Sequence, residues 1–194
     1  MRQYYYIPFI PKAHIDYIHL FSFYDIAEYR IETKAFDLIT YNSLKELSIR
    51  LGIAYSTLNR ILQGKENYKD YSKFMEIDKK NKCIYLKCSF PKGEKASFVR
   101  ITAAEVKLIR DYKDNNTLLA KYLIYIKYYC IHSKNKKNNF TATQFLEAFD
   151  YSTKSNANFD KISAFNSLLV KKNIIKIERY IDELGHKRNI YSLL

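Results

Sequence analysis

The stretch from Ser43 to Gln63 constrains this chain more than any other. Ser43 stands three residues before Glu46, the spacing at which a hydroxyl caps a helix and a carboxylate reaches back to the cap's own amide. The helix runs through Leu47 to Leu51 and stops at Gly52, where a left-handed backbone carries no side-chain penalty. A second helix starts near Tyr55-Ser56, continues through Leu58, Ile61 and Leu62, and reaches a C-cap at Gly64. Leu47 and Leu51 meet Ile53, Leu58 and Ile61 only if the helices cross closely around a tight turn. The small Ser48 leaves room for that approach.

This pattern resembles the helix-turn-helix motif of bacterial DNA-binding proteins over about twenty residues; an ordinary helical hairpin is the alternative. The resemblance implies a second helix that enters the major groove. Its residues turned away from the apolar side are Tyr55, Ser56, Thr57, Asn59, Arg60 and Gln63. Arg60 suits a bidentate contact to guanine or a contact to phosphate, and Asn59 or Gln63 suits adenine.

Before this segment, a helical period over Ile15 to Phe36 (Ile15, Ile18, Leu20, Phe21, Ile26, Tyr29) predicts a helix. After Gly64 the period drops to two. Ser72 to Ile77 and Cys83 to Phe90 are predicted strands, with Ile84, Leu86, Cys88 and Phe90 on one face. The polar turn Asp78-Lys79-Lys80-Asn81 joins them, and Lys79 and Lys80 are candidates for phosphate contact.

The second half follows a similar plan. Pro91 to Ser97 reads as a connector, Phe98 to Ile101 as a strand, and Thr102-Ala103-Ala104-Glu105 as a capping box. Helices are predicted over Glu105 to Tyr112 and Leu118 to Ile131, then a basic, polar loop from Ser133 to Asn139. Thr141-Ala142-Thr143-Gln144 opens a short helix ending near Phe149. Asn158 to Lys172 is a longer helix whose buried stripe is Ile162, Phe165, Leu168 and Leu169. Ile174 to Tyr180 and Asn189 to Leu193 form a closing hairpin around Glu183-Leu184-Gly185-His186. The turn from Asp150 to Asn156 is longer than its counterpart at Gly52, so the motif is less regular here. Candidate DNA contacts in this half are Lys154, Asn158, Lys161, Asn166, Lys171, Arg179, Lys187 and Arg188. Lys161, Asn166 and Lys171 are expected to face outward.

Charge supports a polyanionic partner. The formal net charge is +13, and each phosphate neutralised by Lys or Arg releases a condensed counterion. Residues 91–194 hold 19 basic and 10 acidic groups against 14 and 10 in residues 1–90, so the second half is expected to dominate phosphate affinity. For any single lysine, a solvated surface charge is the simpler reading.

Enzyme chemistry finds no support. With 4 Gly and no Gly-x-x-x-x-Gly-Lys sequence, a phosphate-cradling ATPase loop is absent. Tyr122, Tyr125, Tyr128 and Tyr129 have the look of a nicking nucleophile cluster, but such enzymes need a metal held by His-x-His. His14, His19, His132 and His186 lack that spacing, and the tyrosines are spaced to pack on a helix. Cys83 and Cys88 have no second ligand pair for zinc. No catalytic residue, metal or cofactor is therefore expected. Three cysteines form no disulfide framework, and no run of 18 apolar residues occurs. The expected setting is the cytoplasm, away from the membrane.

Across Phe98 to Leu194 the chain resembles the winged-helix replication initiators and primosomal DnaD-like proteins of low-GC Gram-positive plasmids, phages and conjugative elements. The features that carry the likeness are the strand leading into Thr102-x-x-Glu105, the Tyr-rich second helix, the Phe140-Thr141-Ala142-Thr143 start and the final Ile174-Ile175-Lys176-Ile177 strand. The expected fold is α+β and mostly helical: two winged helix-turn-helix units in tandem, at 1–90 and 98–194, with a connector at 91–97. The resemblance implies sequence-specific binding of double-stranded DNA in initiation or control of replication. A transcriptional regulator, or a module binding replication or transfer proteins, is the alternative.

Overall fold

The computed structural model describes residues 4–87, 98–133 and 135–194. It is an α+β chain that divides into two units, Met1–Thr117 and Leu118–Leu194. The boundary differs from the expected connector at 91–97, which lies outside the described residues. The reason is a strand pairing. β1 (Tyr4–Pro8) needs a partner for its backbone groups, and β6 (Phe98–Thr102) supplies it antiparallel, from Tyr4 opposite Thr102 to Pro8 opposite Phe98. That pairing brings β6 and the following α4 (Ala103–Asp111) into the first unit. The capping box read from the sequence opens α4. The Glu105 amide donates to Thr102 Oγ1 at 3.1 Å, and the Glu105 carboxylate accepts from the Thr102 amide at 2.7 Å.

The first unit departs from the expected helix over Ile15 to Phe36. Helix α1 (Tyr17–Ile26) is capped by Asp16 and ends where Ala27 turns extended. The chain then forms an antiparallel hairpin, β2 (Glu28–Arg30) and β3 (Ala35–Thr40), with Lys34 left-handed at φ 52° in its turn. Ile26 and Tyr29 fit a helical spacing, which hid the change of period. What holds the hairpin is an ion pair that sequence order does not display. The Arg30 guanidinium grips the Asp37 carboxylate at 3.0 and 2.8 Å, with Asp37 only 4% exposed.

Helices α2 (Leu44–Leu51) and α3 (Tyr55–Gln63) follow. A 3-10 helix, Glu66–Lys73, takes up the start of the strand expected from Ser72. It docks through Asp70, which accepts from the His14 amide at 2.7 Å, and Tyr71, whose hydroxyl donates to the Asp16 carbonyl at 3.1 Å. β4 (Met75–Asp78) and β5 (Cys83–Leu86) complete a four-stranded sheet in the order β2-β3-β5-β4. Ile84 and Leu86 are buried as the alternation required; Cys88 and Phe90, expected on the same face, lie outside the described residues.

The second unit begins two residues into α5 (Asn116–Ile131). The segment expected as a loop, Ser133 to Asn139, instead contains β7 (Lys137–Asn139), which pairs antiparallel with β9 (Lys187–Leu193). A strand made of Lys-Asn-Asn has no apolar alternation to betray it. Its partners fix it: Asn138 Nδ2 donates to the Tyr129 carbonyl at 3.3 Å. α6 (Ala142–Ala148), α7 (Asn156–Lys171) and β8 (Ile175–Ile181) complete the unit, with the sheet in the order β7-β9-β8. The Thr141–Gln144 capping box opens α6 as expected.

Aromatic rings fill this core. Tyr122 meets the ring of Phe145 edge-on at 4.8 Å, and Phe140 stacks on Tyr191 at 4.2 Å with 7° between planes. Cys130 is buried and donates to the Tyr191 carbonyl at 3.3 Å, and burial pushes its thiol up to about 11.

Both units repeat one order: helix, strand, helix, helix, strand, strand. In the first it is α1, β3, α2, α3, β4, β5, with β2 added at the sheet edge, and in the second α5, β7, α6, α7, β8, β9. In both sheets the last strand of that order lies between the other two. Among the described residues no helix is long and apolar enough to cross a membrane.

Candidate nucleic-acid interface

The α2–α3 turn forms as its residues dictate. Gly52 is left-handed at φ 64°, and the Ile53 amide donates to the Ser48 carbonyl at 3.1 Å. Leu47, Leu51, Ile53, Leu58 and Ile61 are all buried around the turn, and Ser48 is 9% exposed. Nine residues are too few for an isolated helix to persist in water. Burying Leu58, Ile61 and Leu62, each worth about 1.5–3 kcal/mol, fixes α3 against the unit and decides which side faces out. One detail differs from the expected capping box. The Glu46 amide does donate to Ser43 Oγ at 3.2 Å, but the Glu46 carboxylate accepts from the Asn42 amide, one residue earlier.

The outer side of α3 carries the residues the sequence assigned to it. Tyr55, Ser56, Arg60 and Gln63 are exposed, and Thr57 and Asn59 are half-buried. Gln63 Nε2 donates to Asn59 Oδ1 at 3.0 Å, so these two amides orient each other. Lys79 and Lys80 are exposed at the β4–β5 turn. The Asp78 carboxylate shapes that turn, accepting from the Asn81 amide at 3.0 Å and its side chain at 2.7 Å; these bonds hold it below the usual carboxylate range. Lys82 Nζ donates to the Asn42 carbonyl at 2.9 Å, which sets the turn beside the start of α2.

The second unit places its candidates differently. Residues 149–155 separate α6 from α7, against Gly52-Ile53-Ala54 in the first unit, and Asp150 takes the left-handed position at φ 57°. Aspartate tolerates that conformation, which is why no glycine marks the turn. Asn166, expected to face outward, is half-buried instead. It accepts from the Tyr122 hydroxyl at 2.7 Å and donates to Tyr191 Oη at 3.4 Å. Asn158 donates to the Ser152 carbonyl at 2.9 Å and locks the turn. Lys161 is half-buried, and Lys154 and Lys171 are exposed. The outer side of α7 is made instead of Ser163, Ala164 and Ser167, with Asp160 and Val170 beside them. A fourfold spacing opposite the Ile162–Phe165–Leu169 stripe was the available signal for them.

Between α7 and the β8–β9 hairpin runs an open cleft of about 330 Å³, reached by Ser163, Ser167, Arg179, Lys187 and Asn189. Arg179 lies opposite Asn189 and Ile181 opposite Lys187, so Arg179 and Lys187 share one face of the hairpin. Arg188 also lines the cleft, with its Nε donating to Asp182 at 2.8 Å. Asp182 also accepts from the amides of Leu184 and His186 at 3.0 and 2.8 Å. The Arg188 bond, then these amides, lowers its carboxyl to about 2. A depressed carboxyl stabilises the folded hairpin above its ordinary pKa, near ~3.9, and that contribution is lost as pH falls through about 2. An NMR titration should therefore show Asp182 protonating near pH 2, with the Leu184 and His186 amide resonances moving together. A midpoint in the ordinary aspartate range would mean the turn is not closed in this way.

Of the α5 tyrosines, Tyr122 and Tyr125 are buried and Tyr128 and Tyr129 half-buried, and desolvation raises the Tyr122 hydroxyl well above its ordinary range. Comparison with protein-family models, curated proteins and solved structures finds no match to this chain.

Proposed function

We propose that this chain binds double-stranded DNA through two winged helix-turn-helix units. The observation that carries the reading is the repeated helix-strand-helix-helix-strand-strand order, in which a helix with a polar outer side is followed by a hairpin with exposed cations in each unit. In that reading α3 enters the major groove and the hairpins follow the phosphates. The net charge of +13 favours the same partner. The role is initiation of replication, or its control, for a plasmid, phage or conjugative element in the cytoplasm. Transcriptional regulation would use the same contacts.

A mobility-shift assay with duplex DNA tests the proposal. Arg60 is exposed, with no acidic partner among the described residues. Arg60→Ala should weaken binding by about 1–3 kcal/mol if the contact is to a base, and leave the melting temperature unchanged. Absence of duplex binding at low salt would overturn the proposal and favour a surface for replication or transfer proteins. Selecting bound genomic fragments and mapping them to an origin, a promoter or a transfer origin would assign the role.

A further inference from the structure

We infer that the two units divide the work. The second unit holds DNA by a phosphodiester seated between α7 and the β8–β9 hairpin, and base reading belongs to α3 of the first unit. This rests on the DNA-binding reading above and adds to it a site and a ligand chemistry.

Side-chain reach separates the two helices. Reading a base edge takes a side chain long enough to enter the groove and able to pair with two groups on one base. On α3 the exposed set includes Arg60 and Gln63, with Asn59 beside them. On α7 the two amides that were candidates for this task are spent on the fold, Asn158 at the turn and Asn166 between Tyr122 and Tyr191. The exposed centre of α7 is Ser163, Ala164 and Ser167, all short. Asp160 would repel a phosphate. Asn156, in the first turn, is the remaining exposed amide of α7.

The cleft beside that short face has the opposite character. Ser163 offers a hydroxyl from α7 (that of Ser167, one turn on, donates to the Ser163 carbonyl at 3.1 Å), while Arg179 and Lys187 offer positive charge from the hairpin. No carboxylate lines it. Of the hairpin's acids, Asp182 is engaged by Arg188 and Glu178 by Lys137 and Lys176, while Glu183 is exposed in the turn and does not line the cleft. Arg179 and Lys187 have no acidic partner among the described residues, so both charges are available. A hydroxyl and cations around an acid-free cleft suit a phosphodiester and are blind to sequence. The distribution of charge agrees: Leu118–Leu194 carries 13 basic and 6 acidic residues, a net of +7 in the smaller unit.

The test uses the full chain and two duplexes of equal length, one selected from a random pool as preferred and one scrambled, with affinities from fluorescence anisotropy across a salt series. The double variant Arg179→Ala/Lys187→Ala should weaken both duplexes by the same factor. Its log–log salt slope should be shallower by about 0.9 for each phosphate no longer neutralised, with the preferred-to-scrambled ratio unchanged. Arg60→Ala should cut that ratio by roughly five- to 150-fold, and Asn156→Ala should leave it alone. The charge-keeping pair Arg179→Lys/Lys187→Arg should retain binding, and thermal melts confirm that each variant is folded. A ratio that moves with the hairpin variant or with Asn156→Ala would show that the second unit reads bases. An unchanged affinity in the hairpin variant would show that the cleft takes no phosphate. If the unaltered chain binds neither duplex, the DNA-binding reading itself fails, an outcome distinct from both.

Discussion

Raising the salt concentration from about 50 to 200 mM is expected to weaken duplex binding by about 10³- to 10⁵-fold, if six to ten phosphates are contacted. Each phosphate neutralised releases its counterion, so added salt competes directly with every contact. The chain carries 33 basic residues against 20 acidic ones, and several basic side chains on the proposed faces are exposed: Arg60, Lys79, Lys80, Arg179 and Lys187. Each contact contributes about −0.9 to the log–log slope, so the slope counts the phosphates held. A slope near zero would mean that the exposed cations serve only solubility and that the polar helix faces meet a protein.

Phe165→Ala is expected to destabilise the second unit by about 3–5 kcal/mol, through the loss of apolar burial and the cavity left behind. Phe165 is fully buried and lies 5.9 Å, ring to ring, from Tyr122, which also meets Phe140 and Phe145. The cavity would open where α5, α6 and α7 converge, and the surrounding rings are large and rigid, so collapse recovers little. Chemical denaturation followed by circular dichroism measures the effect. A cost under about 1 kcal/mol would mean that the aromatic cluster repacks freely.

What the sequence made legible shares one property: each signal is local and carries its own chemistry. Gly52 could be read because its backbone is left-handed, and the Thr102–Glu105 and Thr141–Gln144 boxes because both halves of each cap lie three residues apart. The α3 surface followed from a clean separation of apolar and polar sides. The misses share the opposite property, a partner far along the chain. β7 is a strand because β9 pairs with it, and β6 belongs to the first unit because β1 does. Asn166 is as polar as Gln63, and only the position of the Tyr122 and Tyr191 hydroxyls turns it inward. Polar residues on a helix can be assigned outward by default, but a buried tyrosine hydroxyl needs a partner and takes one from that set.

That inward turn of Asn166 has an evolutionary consequence. The contacts that fasten α7 to its unit run through Ile162, Phe165, Asn166 and Leu169, so the outer row of Ser163, Ala164 and Ser167 carries little of the fold's stability. Substitutions at such surface positions usually shift stability by no more than about 0.5 kcal/mol. On the proposed DNA-binding reading, a longer side chain can therefore be tried at Ala164 while the cleft and α3 are left as they are. A new contact can thus be added on that face without passing through an unfolded ancestor.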